Sequence, residues 1–71
     1  MADSVYKFIE LVGTSSQSWE KAAAAAVTQA SKSVRDLRVA EIVQLDVAIE
    51  NGKIKSYRAK VKLSFKYESK G

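Results

Sequence analysis

From Ile54 to Tyr67 the chain alternates. Tyr57, Ala59, Val61, Leu63, Phe65 and Tyr67 fall on one face, and Ser56, Arg58, Lys60, Lys62, Ser64 and Lys66 on the other. A period of two predicts a strand with one face covered. Val39 to Ile49 predicts a second strand. Its odd positions are apolar except Glu41, and its even positions include Gln44 and Asp46. Val5 to Val12 predicts a third strand, ended by Gly13. Here Val5, Ile9 and Leu11 share one face while Tyr6, Phe8 and Val12 share the other. Both faces are therefore expected to be covered, one by a helix and one by a neighbouring subunit. A strongly twisted edge strand is the simpler alternative.

Between Val12 and Val39 the period changes. Trp19, Ala23, Ala26, Ala30, Val34 and Leu37 recur at steps of three and four, with Ala22 and Val27 widening the stripe. This predicts a helix from about Gln17 to Arg35. Thr14 with Gln17 has capping-box spacing, and Ser15 or Ser16 could cap equally well. The alanines favour helix and leave its buried face thin, so its axis can sit close to a sheet. Lys32, Arg35 and Arg38 suit the dipole at the helix end. Residues 1–4 and 68–71 read as polar tails, and 1–71 as a single domain with a core of about 5–67.

The turn at Asn51-Gly52 sets the hairpin register. A two-residue turn pairs Glu50 with Lys53 and lays the apolar face of one strand beside the polar face of the other. A three-residue loop with Gly52 in a G1 bulge pairs Ile49 with Lys53 instead. Leu45 then opposes Tyr57, Val43 opposes Ala59, and Gln44 opposes Arg58. That register is the expectation. The fold class is α+β, in the order β-α-β-β, with a three-stranded antiparallel sheet packed around one helix. The place of the first strand in the sheet stays open.

Composition narrows the chemistry. The chain has 71 residues and no Cys, His or Pro. Chains this short bury only about 60% of their unfolded surface. Without disulfides or thiolate-held metal to staple the core, self-association is expected. Missing His and Cys exclude the usual zinc sites and the Cys and Ser-His-Asp nucleophiles. No nucleophile–base arrangement is evident, so no enzyme is expected. Nothing approaches a membrane span or a signal-peptide core, and a cytoplasmic location is expected.

The order of elements and several strings resemble the dodecin family. They are Val5-Tyr6-Lys7 with Ile9-Glu10, Val12-Gly13-Thr14-Ser15, the Ala-rich helix, Leu37-Arg38-Val39-Ala40-Glu41, the Gly52 turn, and Lys62 to Phe65. The resemblance spans about residues 5–67. It implies a hollow homododecamer that stores or sequesters a small ligand, flavin (FMN or riboflavin) in the usual case. The flavin-pocket positions implied by the resemblance are Val39, Arg58 and Glu41. The family has an aromatic, usually Trp, at the first and Gln at the second. Val39 offers an isoalloxazine ring no flat polarizable surface. Arg58 has donors but no acceptor. This sequence therefore looks like the calcium-binding branch that lacks the pocket Trp, which puts calcium ahead of flavin.

Calcium takes six to eight oxygen ligands. The carboxylates are Asp3, Glu10, Glu20, Asp36, Glu41, Asp46, Glu50 and Glu68, and no EF-hand spacing is present. Glu50 and Asn51 form an oxygen-rich turn, and with Asp46 they are the candidate metal residues. Ordinary turn chemistry is the simpler reading of the turn, and a solvated side chain on the polar face that of Asp46. Glu41, on an apolar face, needs a partner such as Arg58 or Arg38, within the chain or from another subunit. Gly13-Thr14-Ser15-Ser16 could hold an anion at the helix start, although it reads more simply as a cap and turn.

Charge is uneven. The whole chain carries +4, while residues 53–71 hold seven basic residues and one acidic. Arg58, Lys60, Lys62 and Lys66 share one face and could meet nucleic-acid phosphates. Their aromatic neighbours in the same strand point the other way, so nucleic acid is not the expected partner and such a module is the alternative. A solvated face, or one meeting acidic patches of other subunits, accounts for the lysines more simply.

Overall fold

The computed structural model describes residues 4–67. Of the expected polar tails at 1–4 and 68–71, residues 1–3 and 68–71, with Asp3 and Glu68, lie outside the described residues. The elements are β1 (Tyr6–Ser15), α1 (Trp19–Ser31), β2 (Leu37–Glu50) and β3 (Lys53–Lys66). They form one antiparallel sheet in the order β1-β3-β2, so the last strand is central and both others are edges. The expected β-α-β-β order holds, and the open place of β1 is settled beside β3.

The helix begins two residues later than expected and stops four earlier. Ser18, not Thr14, caps it: its Oγ accepts from the Lys21 amide at 3.1 Å. Ser15 Oγ instead accepts from the Gln17 amide at 2.9 Å and shapes the approach. At the far end the Ser33 and Val34 amides both donate to the Ala30 carbonyl, at 3.0 and 2.9 Å. Ser31, Ser33 and β-branched Val34 are poorer helix formers than the alanines before them. Asp36 then adopts φ 60°, a left-handed conformation that Asp tolerates, and turns the chain into β2. The expected basic residues do not fall in the last helical turn; Lys32 is the C-cap.

The core is a thin seam. Ala22, Ala26 and Ala30 of α1 lie on Ala59, Val61 and Leu63 of β3, all buried. Ile9 and Leu11 of β1, together with Ala23, Val27 and Leu37, pack at its margin. Gly13 sits opposite Ala59 in the same layer. A Cβ there would collide with the Ala22 carbonyl oxygen, so Gly13 is what lets the helix lie this close. Among the described residues, only Leu63 and Val61 are large and fully buried. At about 1.5–3 kcal/mol for each such side chain, the seam alone is a weak drive to fold.

The hairpin register differs from expectation, and bulges are the reason. Asn51 and Gly52 have φ 54° and 74°, which is the two-residue turn with both central residues left-handed. Glu50 pairs with Lys53 and Ile49 with Ile54. The mismatch of faces is repaired by a bulge that skips Lys55, so that Ala48 opposes Ser56 and Leu45 opposes Ala59. A second bulge at Val43 shifts the parity again, and Ile42 faces Val61 while Ala40 faces Leu63. A third lies at Arg38.

These bulges leave much of β2 uncovered. The helix lies over β1 and β3 and scarcely reaches β2. Ile42, Val43, Leu45, Ile49 and Ile54 are all exposed, Ile49 by 67%. The chain measures 55 × 20 × 14 Å with a radius of gyration of 14.9 Å. A compact chain of this length would have about 11 Å.

Candidate functional site

The helix-free face of the sheet is organised in rows. Thr14, Arg58 and Asp46 stand side by side across the three strands. The next rows are Val12, Lys60, Gln44, and then Glu10, Lys62, Glu41. Phe8 opposes Ser64, which opposes Val39, and Tyr6 opposes Lys66. A basic column along β3 is thus flanked on β1 and β2 by carboxylates and apolar side chains.

Two ion pairs occur among the described residues. Arg58 Nε donates to Asp46 Oδ1 at 2.8 Å, and Lys55 Nζ lies 3.3 Å from Glu50 Oε1. Both pairs are substantially exposed, which limits each to roughly 0–1 kcal/mol. Arg58 opposes Asp46 rather than Gln44, a shift of two residues from the expected register, and that shift brings the pair together. Asp46 is held a second time, because Trp19 Nε1 donates to its carbonyl oxygen at 3.0 Å. The Trp19 ring meets Tyr57 edge-on with centroids 5.0 Å apart. This contact ties the helix start to edge strand β2. It links residues 27 apart in sequence and has no local signature.

Glu41 is not on the apolar face. The Val43 bulge turns it to the polar face opposite Lys62, where it is exposed and pairs with neither Arg58 nor Arg38. Its expected need for a buried partner disappears. Lys62 Nζ instead sits 4.7 Å above the Phe8 ring, and Lys7 Nζ lies 5.2 Å from the Tyr67 ring. The basic face does therefore carry aromatics, Tyr6 and Phe8, supplied by β1. Pattern within β3 alone could not place them there.

The candidate ligand positions are not gathered in one chain. Val39 opposes Ser64 while Arg58 opposes Asp46. These rows are six residues apart along β3, or about 20 Å. Val39 lines a shallow, mostly apolar groove of about 130 Å³ with Val27, Leu37, Arg38, Ala40 and Leu63. Glu50 and Asn51 are at the hairpin tip, with Glu50 engaged by Lys55, and Asp46 is engaged by Arg58. Among the described residues no three acidic side chains come together where they could hold a metal ion.

The Dodecin family model matches residues 5–68. The chain belongs to the dodecin family. A Mycobacterium tuberculosis protein named calcium dodecin is 53% identical over 64 residues, covering 89% of each chain. The crystal structure of calcium dodecin from that organism, described as a calcium-chelating antigen with a novel calcium-binding site, superposes with TM-score 0.81 at 49% identity. That match covers 96% of this chain and 97% of the other. The dodecin of Streptomyces coelicolor superposes with TM-score 0.90 at 34% identity, over 99% and 100% of the two chains. The helix-on-sheet dodecin fold expected from the resemblance is the fold found.

No helix among the described residues is long and apolar enough to cross a membrane.

Proposed function

We propose that this dodecin works as a homododecameric shell that binds or sequesters a small ligand or ion, with calcium ahead of flavin and no chemical step. Its place of work is the cytoplasm. The observation that carries the assembly reading is the uncovered apolar surface. Among the described residues, twelve large apolar side chains are 40–67% exposed and two are fully buried. Such a chain gains most by burying these faces against copies of itself.

The preference for calcium rests on the residues at positions 39 and 58 and on the likeness to a protein named calcium dodecin. Val39 is aliphatic and gives a flavin ring nothing flat to stack on. Arg58 is already engaged by Asp46 and has no acceptor to offer. Flavin storage and buffering is the second reading, favoured by the family's usual activity. A calcium site would be assembled from carboxylates and carbonyls of more than one copy, with Asp46, Glu50 and Asn51 as candidate contributors. The column of β3 cations is interleaved with Glu10, Glu41 and Asp46. That mixture offers a nucleic acid little net charge and disfavours the nucleic-acid reading.

Calorimetric titration of the assembled protein with calcium tests the proposal, with riboflavin and FMN fluorescence quenching measured alongside. Saturable calcium heat with weak flavin quenching is the expected result. Micromolar flavin quenching without calcium heat overturns the preference. Val39→Trp should raise flavin uptake if the rest of that pocket is retained.

A further inference from the structure

The hairpin tip carries a chemistry of its own. Asn51 is the one asparagine of the chain, and a glycine follows it. A backbone nitrogen attacks the side-chain carbonyl carbon of a preceding asparagine most readily when its own residue has no side chain in the way. Nothing lies within 4 Å of the Cβ position of Gly52. Asn51 and Gly52 are both exposed, so water and hydroxide reach them.

The turn itself holds this reaction back. Asn51 has φ 54° and Gly52 φ 74°. A left-handed residue has ψ of about +47°, which sets the following nitrogen nearly opposite Cβ across the Cα–C bond. Ring closure needs the two on the same side, so the turn must open first. Little keeps it shut. Beyond the pairing of Glu50 with Lys53, the tip is held by an exposed contact between Lys55 and Glu50. The bulge that skips Lys55 breaks the ladder beside it, and Ile49 and Ile54 are themselves 67% and 56% exposed. Exposed turns of this kind open locally at far less cost than global unfolding.

We propose that Asn51 is a site of spontaneous deamidation in the folded protein, gated by opening of the hairpin tip. Hydroxide takes the Gly52 amide proton. The nitrogen bonds to Asn51 Cγ, the bond from Cγ to the side-chain nitrogen breaks, and ammonia leaves with a proton drawn from water. The product is a five-membered succinimide. Water then breaks one of the two bonds between the ring nitrogen and its carbonyl carbons. Breaking the bond to Cγ leaves aspartate, which the left-handed position tolerates. Breaking the bond to the backbone carbonyl leaves isoaspartate, whose main chain is one atom longer and cannot keep Glu50 opposite Lys53. Either way a carboxylate replaces a neutral amide next to Glu50. The chemistry needs no ligand and no second copy.

The test follows the intact mass of the full-length protein, as purified, at mildly alkaline pH, beside the same chain in guanidinium chloride. Both should gain the one mass unit of an amide turned to acid, in the peptide that contains residue 51. The folded rate should be about 5–30-fold below the denatured rate and should rise in proportion to hydroxide. Asn51→Gly, which keeps a turn-competent Gly-Gly pair, should gain nothing. A folded rate lower by about a thousandfold or more means that the tip opens only with the whole chain, and overturns the proposal. Equal rates in the two states overturn the gating by the left-handed turn. A mass gain that persists in Asn51→Gly overturns the site.

Discussion

Replacing Gly13 with Ala places one methyl group at the tightest point of the structure. The new Cβ would lie on the Ala22 carbonyl oxygen, 3.0 Å from the Ala22 carbonyl carbon and 3.2 Å from Ala26 Cβ. The obstacle is helix backbone, which no rotamer change can move. Gly13 is opposite Ala59, and Ala22 and Ala59 are both fully buried, so the strand cannot back away into open space. The helix must lift by about 1 Å, and the contacts of the whole alanine seam loosen with it. Overpacking of a close-packed core costs typically about 1–3 kcal/mol. A backbone collision belongs at the top of that range. About 3 kcal/mol lowers the folding equilibrium more than about a hundredfold and, for a chain this short, lowers Tm by about 12–24 °C. The assay is thermal unfolding by circular dichroism at one fixed protein concentration, because assembly makes Tm concentration-dependent. A shift smaller than about 4 °C would refute the claim that helix–sheet contact at Gly13 is limiting.

Gly52→Ala makes a useful contrast. No atom lies within 4 Å of its Cβ position, but φ is +74°, so only left-handed strain is added, about 1–2 kcal/mol by the same unfolding measurement. Trp19→Phe keeps the ring against Tyr57 but removes the donor to the Asp46 carbonyl. It should cost about 1 kcal/mol of stability, read as a lower denaturant midpoint with little change in the slope. A double-mutant cycle of Arg58→Ala and Asp46→Ala should return a coupling of about 0.2–1 kcal/mol, because the pair is 2.8 Å apart yet nearly half exposed. A coupling above about 2 kcal/mol would mean that assembly buries the pair.

Period and turn chemistry carried most of the fold. The helix-facing alternation of β3 and the alanine stripe of α1 are both found, with Ala59, Val61 and Leu63 against Ala22, Ala26 and Ala30. What pattern missed were bulges. Asn51-Gly52 forms the two-residue turn that its sequence signals most directly, and the face mismatch that argued against it is removed one step later by skipping Lys55. The bulge at Val43 then reverses the side on which Glu41 stands. A single unpaired residue in a strand leaves no mark in hydrophobic periodicity when its neighbours are Ile42, Gln44 and Leu45. The apolar spacing predicts more helix than forms, because Val34 and Leu37 continue it after Ser31-Lys32-Ser33 has ended the helix. Gly13 was read as a strand breaker, yet it lies within β1 and its use is steric. That use depends on Ala22 crossing above it, which only the fold reveals.

The candidate site was less legible for a different reason. Val39 and Arg58 are about 20 Å apart in one chain, and Asp46 and Glu50 are each engaged by a neighbouring cation. Sequence lists the groups without showing how far apart the strands set them within one chain. Trp19 illustrates the same limit within the chain. Spacing puts it on the apolar stripe of the helix, and only the fold brings its indole to the edge of β2 beside the cap at Ser18.

Everything proposed for ligand binding depends on neighbouring copies, so the most direct test is the mass of the native particle in solution. Multi-angle light scattering or sedimentation equilibrium of the purified full-length chain should give about twelve times 7.8 kDa. A mass near 7.8 kDa that persists as concentration rises would contradict the account.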